Sequence, residues 1–337
     1  MDDERYSRQT RFAPIGDAGQ QRIRAARVAV VGCGALGSIV AEQLSRAGVG
    51  RLSLIDRDFV EASNLQRQSL YREEDARRAA PKAVALAERL AEINAEVAYD
   101  AVVADVAAGN VVELLRGHDL VVDGGDNFPL RHLVNEACCL LGVPWVHGAC
   151  VGAYGVCVAI VPGDTACLRC LQDMMPAAGD SPTCDTAGVI APIAHVVAGL
   201  QVAEALKLLV GDGASVRRAL WAIDVWTNDV RRLDLTTARD PRCLACGAKA
   251  TRPLLAAGDE AAIALCGRDA IQIRRGVGAD LDRLRERLGP SLTAANAWLV
   301  RWRDGALSGT CFRDGRVVVH GTADPARARA FADRWLG

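Results

Sequence analysis

Arg27-Val28-Ala29-Val30-Val31-Gly32-Cys33-Gly34-Ala35-Leu36-Gly37 is the stretch that decides the fold of this chain. Four consecutive apolar residues read as a buried β-strand. The Gly-x-Gly-x-x-Gly spacing after them reads as a tight turn into a helix carrying Ala41-Glu42-Gln43-Leu44. Backbone N–H groups at such a helix start face an anion. Gly32, Gly34 and Gly37 are therefore candidate nucleotide-binding positions, and Asp56, closing the next apolar run Leu52-Ser53-Leu54-Ile55, is placed to hold a ribose. The glycine turn and Asp56 alone equally suit a NAD(P)-dependent oxidoreductase. The residues beyond Asp56 point elsewhere: Asn64-Leu65-Gln66-Arg67-Gln68 and Pro81-Lys82 add polar and cationic groups suited to phosphates, not to hydride transfer.

Outward from this stretch, strands and helices alternate. Strands are predicted at 28–31, 52–56, 99–104, 120–123 and 145–149, and helices at 38–47, 81–94, 110–116 and 130–141. Such alternation predicts an α/β fold, a doubly wound, Rossmann-like parallel sheet. Residues 151–161 and 220–235 lack intervening helices on their near side and are expected to complete a mixed sheet as antiparallel strands. Residues 176–182, rich in Pro and Gly, read as a mobile loop before Cys184.

Twelve cysteines without a secretory leader indicate reduced thiols and metal ligands in place of disulfides, and a cytoplasmic protein. Cys167-Leu168-Arg169-Cys170 and Cys243-Leu244-Ala245-Cys246 present paired thiolates at knuckle spacing, the pattern of a closed four-cysteine site for structural Zn2+. Cys33, Cys138, Cys139, Cys150 and Cys157 sit in apolar runs and read as core residues. A net charge of −1 carries no basic surplus and argues against nucleic acid as the main substrate. The apolar stretch 189–210 is interrupted by Pro192, His195, Gln201, Glu204 and Lys207, which favours a buried or interface helix over a membrane span.

These landmarks, together with Arg5-Tyr6-Ser7-Arg8-Gln9, Asp126-Asn127 and Cys184-Asp185-Thr186-Ala187-Gly188-Val189, resemble the ThiF/MoeB/HesA family, prokaryotic relatives of ubiquitin-activating enzymes, over roughly residues 5–247. The resemblance implies that Asp56 holds the ribose of ATP, that Asn64, Arg67, Gln68 and Lys82 contact its phosphates, and that Asp126 positions Mg2+. It implies that Arg8 reaches into the partner subunit's ATP site, which calls for a homodimer. Cys184 matches the residue that some members link covalently to their carrier. Gly124-Gly125-Asp126 departs from the Cys-Thr-Asp or Ser-Thr-Asp of relatives.

The expected activity is ATP-dependent adenylation of the C-terminal glycine of a ubiquitin-like sulfur-carrier protein ending in Gly-Gly, with a sulfur donor protein acting downstream in thiamine or molybdenum cofactor synthesis. The chemistry is consistent with that: a C-terminal carboxylate, with a pKa of about 3.5, is ionised at neutral pH, so the reaction needs cations and positioning, not a base. Each site residue also has a simpler role: Arg67 in a surface ion pair, Lys82 as a solvated helix residue, Asp126 as a helix cap. A noncatalytic carrier-binding scaffold would be expected to lose Arg67, Lys82 and Asp126, all of which are present.

Residues 1–250 are expected to form the ATP-binding domain. Gly247 to Asp259 reads as a linker, and 260–337 as a small α+β domain of unknown role, with strands at 271–274, 297–303 and 317–320 and helices at 281–288 and 326–336. Cys266, beside Arg268, reads as a core cysteine before a tight turn.

Overall fold

The computed structural model describes residues 4–174, 187–258, 262–265, 269–275 and 278–336. They form two compact units, the first from residues 1–58, 63–72 and 82–258, the second from 59–62, 73–81 and 259–337.

The first unit is built on eight strands: β1 Arg27–Val31, β2 Arg51–Asp56, β3 Ala98–Val103, β4 Leu120–Asp123, β5 Trp145–Val151, β6 Tyr154–Ile160, β7 Ala219–Asp224 and β8 Asp229–Asp234. Their spatial order is β3-β2-β1-β4-β5-β6-β7-β8. β1 to β5 pair in parallel, and β5 to β8 antiparallel. The apolar runs of β1 and β4 are buried because helices cover both faces. Helices Ala35–Ala47, Lys82–Ile93 and Ala191–Val210 pack on one face, Val111–Leu115 and Phe128–Leu141 on the other. Successive connections run outward from β1 toward β3 and then resume on its other side at β4. The carboxyl ends of β1 and β4 thus flank a topological switch point, where ligands bind in such sheets.

Helix Ala191–Val210 has the length and apolarity of a membrane span, and among the described residues it is alone in that. Here it packs on β4, β5 and β6, and Gln201 donates from inside it to Asp123 O at 2.8 Å. Residues 253–257, inside the stretch expected to be a linker, form a short helix whose Leu254 and Leu255 N–H groups are held by Glu136 Oε2 at 2.9 and 3.1 Å. The sequence gives no sign of it because the helix is five residues long and its anchor lies over a hundred residues away.

The second unit is a six-stranded antiparallel sheet in the order β11-β12-β13-β14-β10-β9. The strands are β9 Ala262–Leu265, β10 Ala270–Arg274, β11 Leu292–Ala295, β12 Leu299–Asp304, β13 Leu307–Phe312 and β14 Arg316–His320. β9, β11 and β13 are additions to the three strands expected from sequence. Residues alternate between two buried faces. Ile271, Ile273, Val300, Trp302, Cys311, Val317 and Val319 meet helices Leu281–Leu288 and Pro325–Leu336. Ala270, Leu299, Phe312 and Val318 meet Phe59 and Ala79 on the opposite face. Period-2 alternation normally leaves one face wet, whereas here both are covered.

Candidate active site

The glycine turn is a backbone feature first. Gly32 has φ +90°, and a Cβ at Gly37 would stand 1.8 Å from Gly32 O. Gly124, at the end of β4, packs against the same carbonyl so closely that a Cβ there would lie 2.3 Å from it. That contact leaves no room for a side chain at Gly124. Helix Ala35–Ala47 starts at Gly34 with no side-chain cap, which leaves its first N–H groups available to an anion.

Asp56, at the end of β2, has both carboxylate oxygens fixed: Oδ2 accepts from Cys33 N at 2.6 Å and Oδ1 from Asp58 N at 2.7 Å. Burial raises its pKa above the usual 3.8, with Lys82 acting in the opposite direction. Lys82 opens helix Lys82–Ile93 and is buried, its Nζ 3.5 Å from Asp58 Oδ2, so it is not a solvated surface lysine. Arg57 pairs with Asp105 Oδ1 at 3.2 Å. Burial alone would lower its pKa, but Asp58, Asp105, Asp126 and Asp56 outweigh that and hold it above its ordinary value.

The segment Ser63–Arg72 closes over this edge. Asn64 is buried and its carbonyl accepts from Arg67 N and Gln68 N at 3.1 and 3.0 Å. Arg67 is half-buried, its Nη1 donating to Ser63 O at 3.0 Å. Gln68 is buried with Oε1 unpartnered, and its Nε2 lies 3.8 Å from the place of a Cβ on Gly34. A buried amide oxygen without a donor, beside an uncapped helix start, fits a site that a nucleotide completes. Tyr71, which no sequence motif marks, ties these parts together: its Oη donates to Cys33 O at 2.6 Å and lies 3.3 Å from Lys82 O.

Asp126 is exposed beyond β4, and Asn127 Nδ2 donates to its Oδ1 at 3.0 Å. The helix cap is Asn127, whose side chain accepts from Leu130 N at 2.9 Å. Asp126 thus has no capping duty. Below it lies a buried network that no local motif announced. His147 Nδ1 meets Asp123 Oδ2 at 2.7 Å and Arg131 Nε meets the same oxygen at 3.4 Å. Arg131 Nη2 donates to Gly125 O, and Gly125 N donates to Asp123 Oδ1, both at 2.8 Å. Burial lowers the His147 pKa from its ordinary 6.5, with the hydrogen bond to Asp123 acting in the opposite direction.

Arg8 lies exposed on the short helix Ser7–Thr10 and takes no part in these hydrogen bonds among the described residues. Cys184, the loop 176–182 and Cys266 lie outside the described residues.

Apart from this edge, Cys167, Cys170, Cys243 and Cys246 bring four Sγ atoms within 4.8 Å of one another. Measured edges are 3.8 Å for Cys167 to Cys170, 3.6 Å for Cys167 to Cys243 and 3.5 Å for Cys170 to Cys246. A tetrahedron with Zn–S bonds of about 2.3 Å has edges of roughly 3.8 Å, so the four thiols fit zinc. Backbone N–H groups of Asp240 and Ala245 reach Cys170 Sγ at 3.5 Å and Cys243 Sγ at 3.4 Å, and Asn135 Nδ2 reaches Cys167 Sγ at 3.6 Å, a shell suited to thiolates. Cys139, read as a core residue, is partly buried against the core cluster that contains Cys167.

Comparison with known proteins agrees with this geometry. The chain is 44% identical over 337 residues to the sulfur carrier protein ThiS adenylyltransferase of Bacillus subtilis, covering 99% of each protein. It is 42% identical over 255 residues to the sulfur carrier protein adenylyltransferase of Thermus thermophilus, covering 74% of this chain and 92% of that one. Among solved structures, Escherichia coli MccB with MccA-N7isoASN superposes with a TM-score of 0.64 at 24% identity, covering 73% of this chain and 75% of that one, a likeness of fold. The ThiF family model matches residues 6–245, which span the glycine turn, Asp56, Lys82, Asp126 and three of the four clustered cysteines, and the chain belongs to the ThiF family.

Proposed function

We propose that this chain adenylates the C-terminal glycine of a ubiquitin-like sulfur-carrier protein, in thiamine or molybdenum cofactor synthesis. The observation that carries the reading is the convergence of a bonded Asp56, a buried Lys82 and an unsatisfied Gln68 amide around an uncapped glycine turn. In this reading Asp56 holds the ribose of ATP, and Asn64, Arg67, Gln68 and Lys82 take the phosphates. A carboxylate oxygen of the carrier attacks the α-phosphorus. As the new O–P bond forms, the bond to the β-phosphate bridging oxygen breaks and pyrophosphate leaves, with no proton transferred. Mg2+, held by Asp126, would neutralise charge on the phosphates. Arg57 sits among the same carboxylates and steadies them. The carrier adenylate then goes on to a sulfur donor protein.

The assembly in this reading is a cytoplasmic homodimer, with Arg8 completing the partner's site and the outer side of helix Ala191–Val210, where Val196 is exposed, available to the interface. Cys184 is the thiol proposed to take the carrier from the adenylate. The deciding experiment is ATP–pyrophosphate exchange with candidate carriers ending in Gly-Gly. Carrier-dependent exchange is expected, and Cys184→Ser should keep it within a few-fold while losing any reducible adduct with the carrier. Absence of exchange with every such carrier, or a bound nicotinamide chromophore, would refute the assignment.

A further inference from the structure

The described residues of 259–337 contain no member of the site, yet the unit they belong to takes in two short pieces from the stretch that bears it. The chain passes between units at Asp58/Phe59, Ala62/Ser63, Arg72/Glu73 and Pro81/Lys82. Each of these four crossings adjoins a site element, unlike the fifth, at Gly258/Asp259. Lys82 follows one directly, and Asp58, the carboxylate facing Lys82, precedes another. Ser63 supplies the carbonyl that holds Arg67, and Arg72 follows Tyr71, whose hydroxyl fixes Cys33 O. Between the inner crossings lies Ser63–Arg72 itself, with Asn64, Arg67 and Gln68.

Inside the second unit both pieces are gripped. Phe59 and Pro81 face each other in a bridge, and Val60 N donates to Ala80 O at 2.8 Å. The Phe59 ring centroid lies 6.4 Å from that of Phe312, and the Arg301 guanidinium sits 4.5 Å over the Phe59 ring. Asn296 Nδ2 donates to Arg78 O at 3.2 Å and to Ala79 O at 3.0 Å. Ala79 has φ +46°, a left-handed conformation that is strained for a residue with a Cβ. Such a conformation persists where its surroundings over-determine it, and the Asn296 amide holds the carbonyls of Ala79 and of the residue before it.

We propose that the C-terminal sheet is a brace for the phosphate-binding loop: through Asn296, Arg301 and Phe312 it fixes 59–62 and 73–81, and so sets the ends of Ser63–Arg72 and the start of helix Lys82–Ile93. Asn296 is then a positioning residue for adenylation. The proposal rests on the adenylation reading for its consequence and for one of its two readouts.

The experiment compares full-length wild type, Asn296→Ala, Ala79→Gly and the double variant. Asn296→Ala should raise KM for ATP in exchange by about tenfold or more, as a misplaced site would. It should also speed tryptic cleavage after Arg67 or Arg72 by a similar factor. Glycine adopts the left-handed conformation without strain, so Ala79→Gly in the Asn296→Ala background should return both readouts to within about twofold of wild type. Unchanged cleavage in Asn296→Ala, or a defect that Ala79→Gly does not rescue, overturns the brace. Cleavage is read without activity, so a wild type that shows no exchange sinks the adenylation reading alone.

Discussion

The four-cysteine cluster and the nucleotide edge are both built to hold ions, and they are finished to different degrees. In the cluster, two short loops supply all four ligands, and backbone N–H groups already support the sulfurs. At the nucleotide edge the parts arrive from five segments, Lys82 rests against Asp58, and the Gln68 amide oxygen has no partner. A structural metal needs a closed cage. A site that must bind and release a nucleotide leaves a buried acceptor, the Gln68 oxygen, for the ligand to satisfy.

The largest effect is expected at the cage. Cys170→Ser removes one of four ligands, and zinc content should fall from about one per chain toward none, with stability lowered by more than about 4 kcal/mol. Metal analysis and urea unfolding check this, and stoichiometric zinc in the variant would mean the cluster is not the metal site. At the open edge, Asp126→Asn keeps shape but removes charge, so carrier-dependent exchange should drop by about two orders of magnitude or more while zinc and unfolding midpoint stay put. Near-normal exchange would move magnesium to another carboxylate.

A gentler probe sharpens the contrast through the network beneath Asp126. His147 is held neutral by burial, as are His118 and His132 by weaker burial, so each has a folded pKa below 6.5. A depressed histidine contributes stability that is complete above about pH 6.5 and lost as pH falls through the folded value. Tm should therefore be level above about pH 7 and decline below about pH 6.5. His147→Gln should flatten that decline by up to about 1.4 kcal/mol per pH unit. An unchanged slope would show that His147 is not a neutral buried group.

What the sequence made legible followed from how local each signal is. The β1 glycine turn and the paired cysteines announce themselves within a few residues, because close backbone approach admits only glycine and one loop places two thiolates on one ion. Asp126 could not be told from a helix cap until Asn127 was seen to do the capping. His147 and Tyr71 were missed because each acts on a residue distant in sequence, Tyr71 on Cys33 and His147 on Asp123, and Arg131 because no motif marks its reach back to Gly125 and Asp123. The C-terminal sheet was half legible: β9 and β11 have four residues each, too short for periodicity, and β13 is broken by Gly309, where Trp302 packs so closely that a Cβ would lie 2.2 Å from its ring.

The bond from Asn296 to the carbonyl of Ala79 joins residues 217 apart. That span has a meaning in time. A ribosome adding about 5–20 residues per second needs roughly 10–45 s to go from Ala79 to Asn296. Through that interval Phe59 and Ala79 have no sheet to lie against, and the ends of the phosphate loop stay unset. The nascent polypeptide therefore carries an apolar segment that chaperones can recognise until the sheet strands have been made. A prematurely terminated product would keep it, marked by its own exposed surface for degradation.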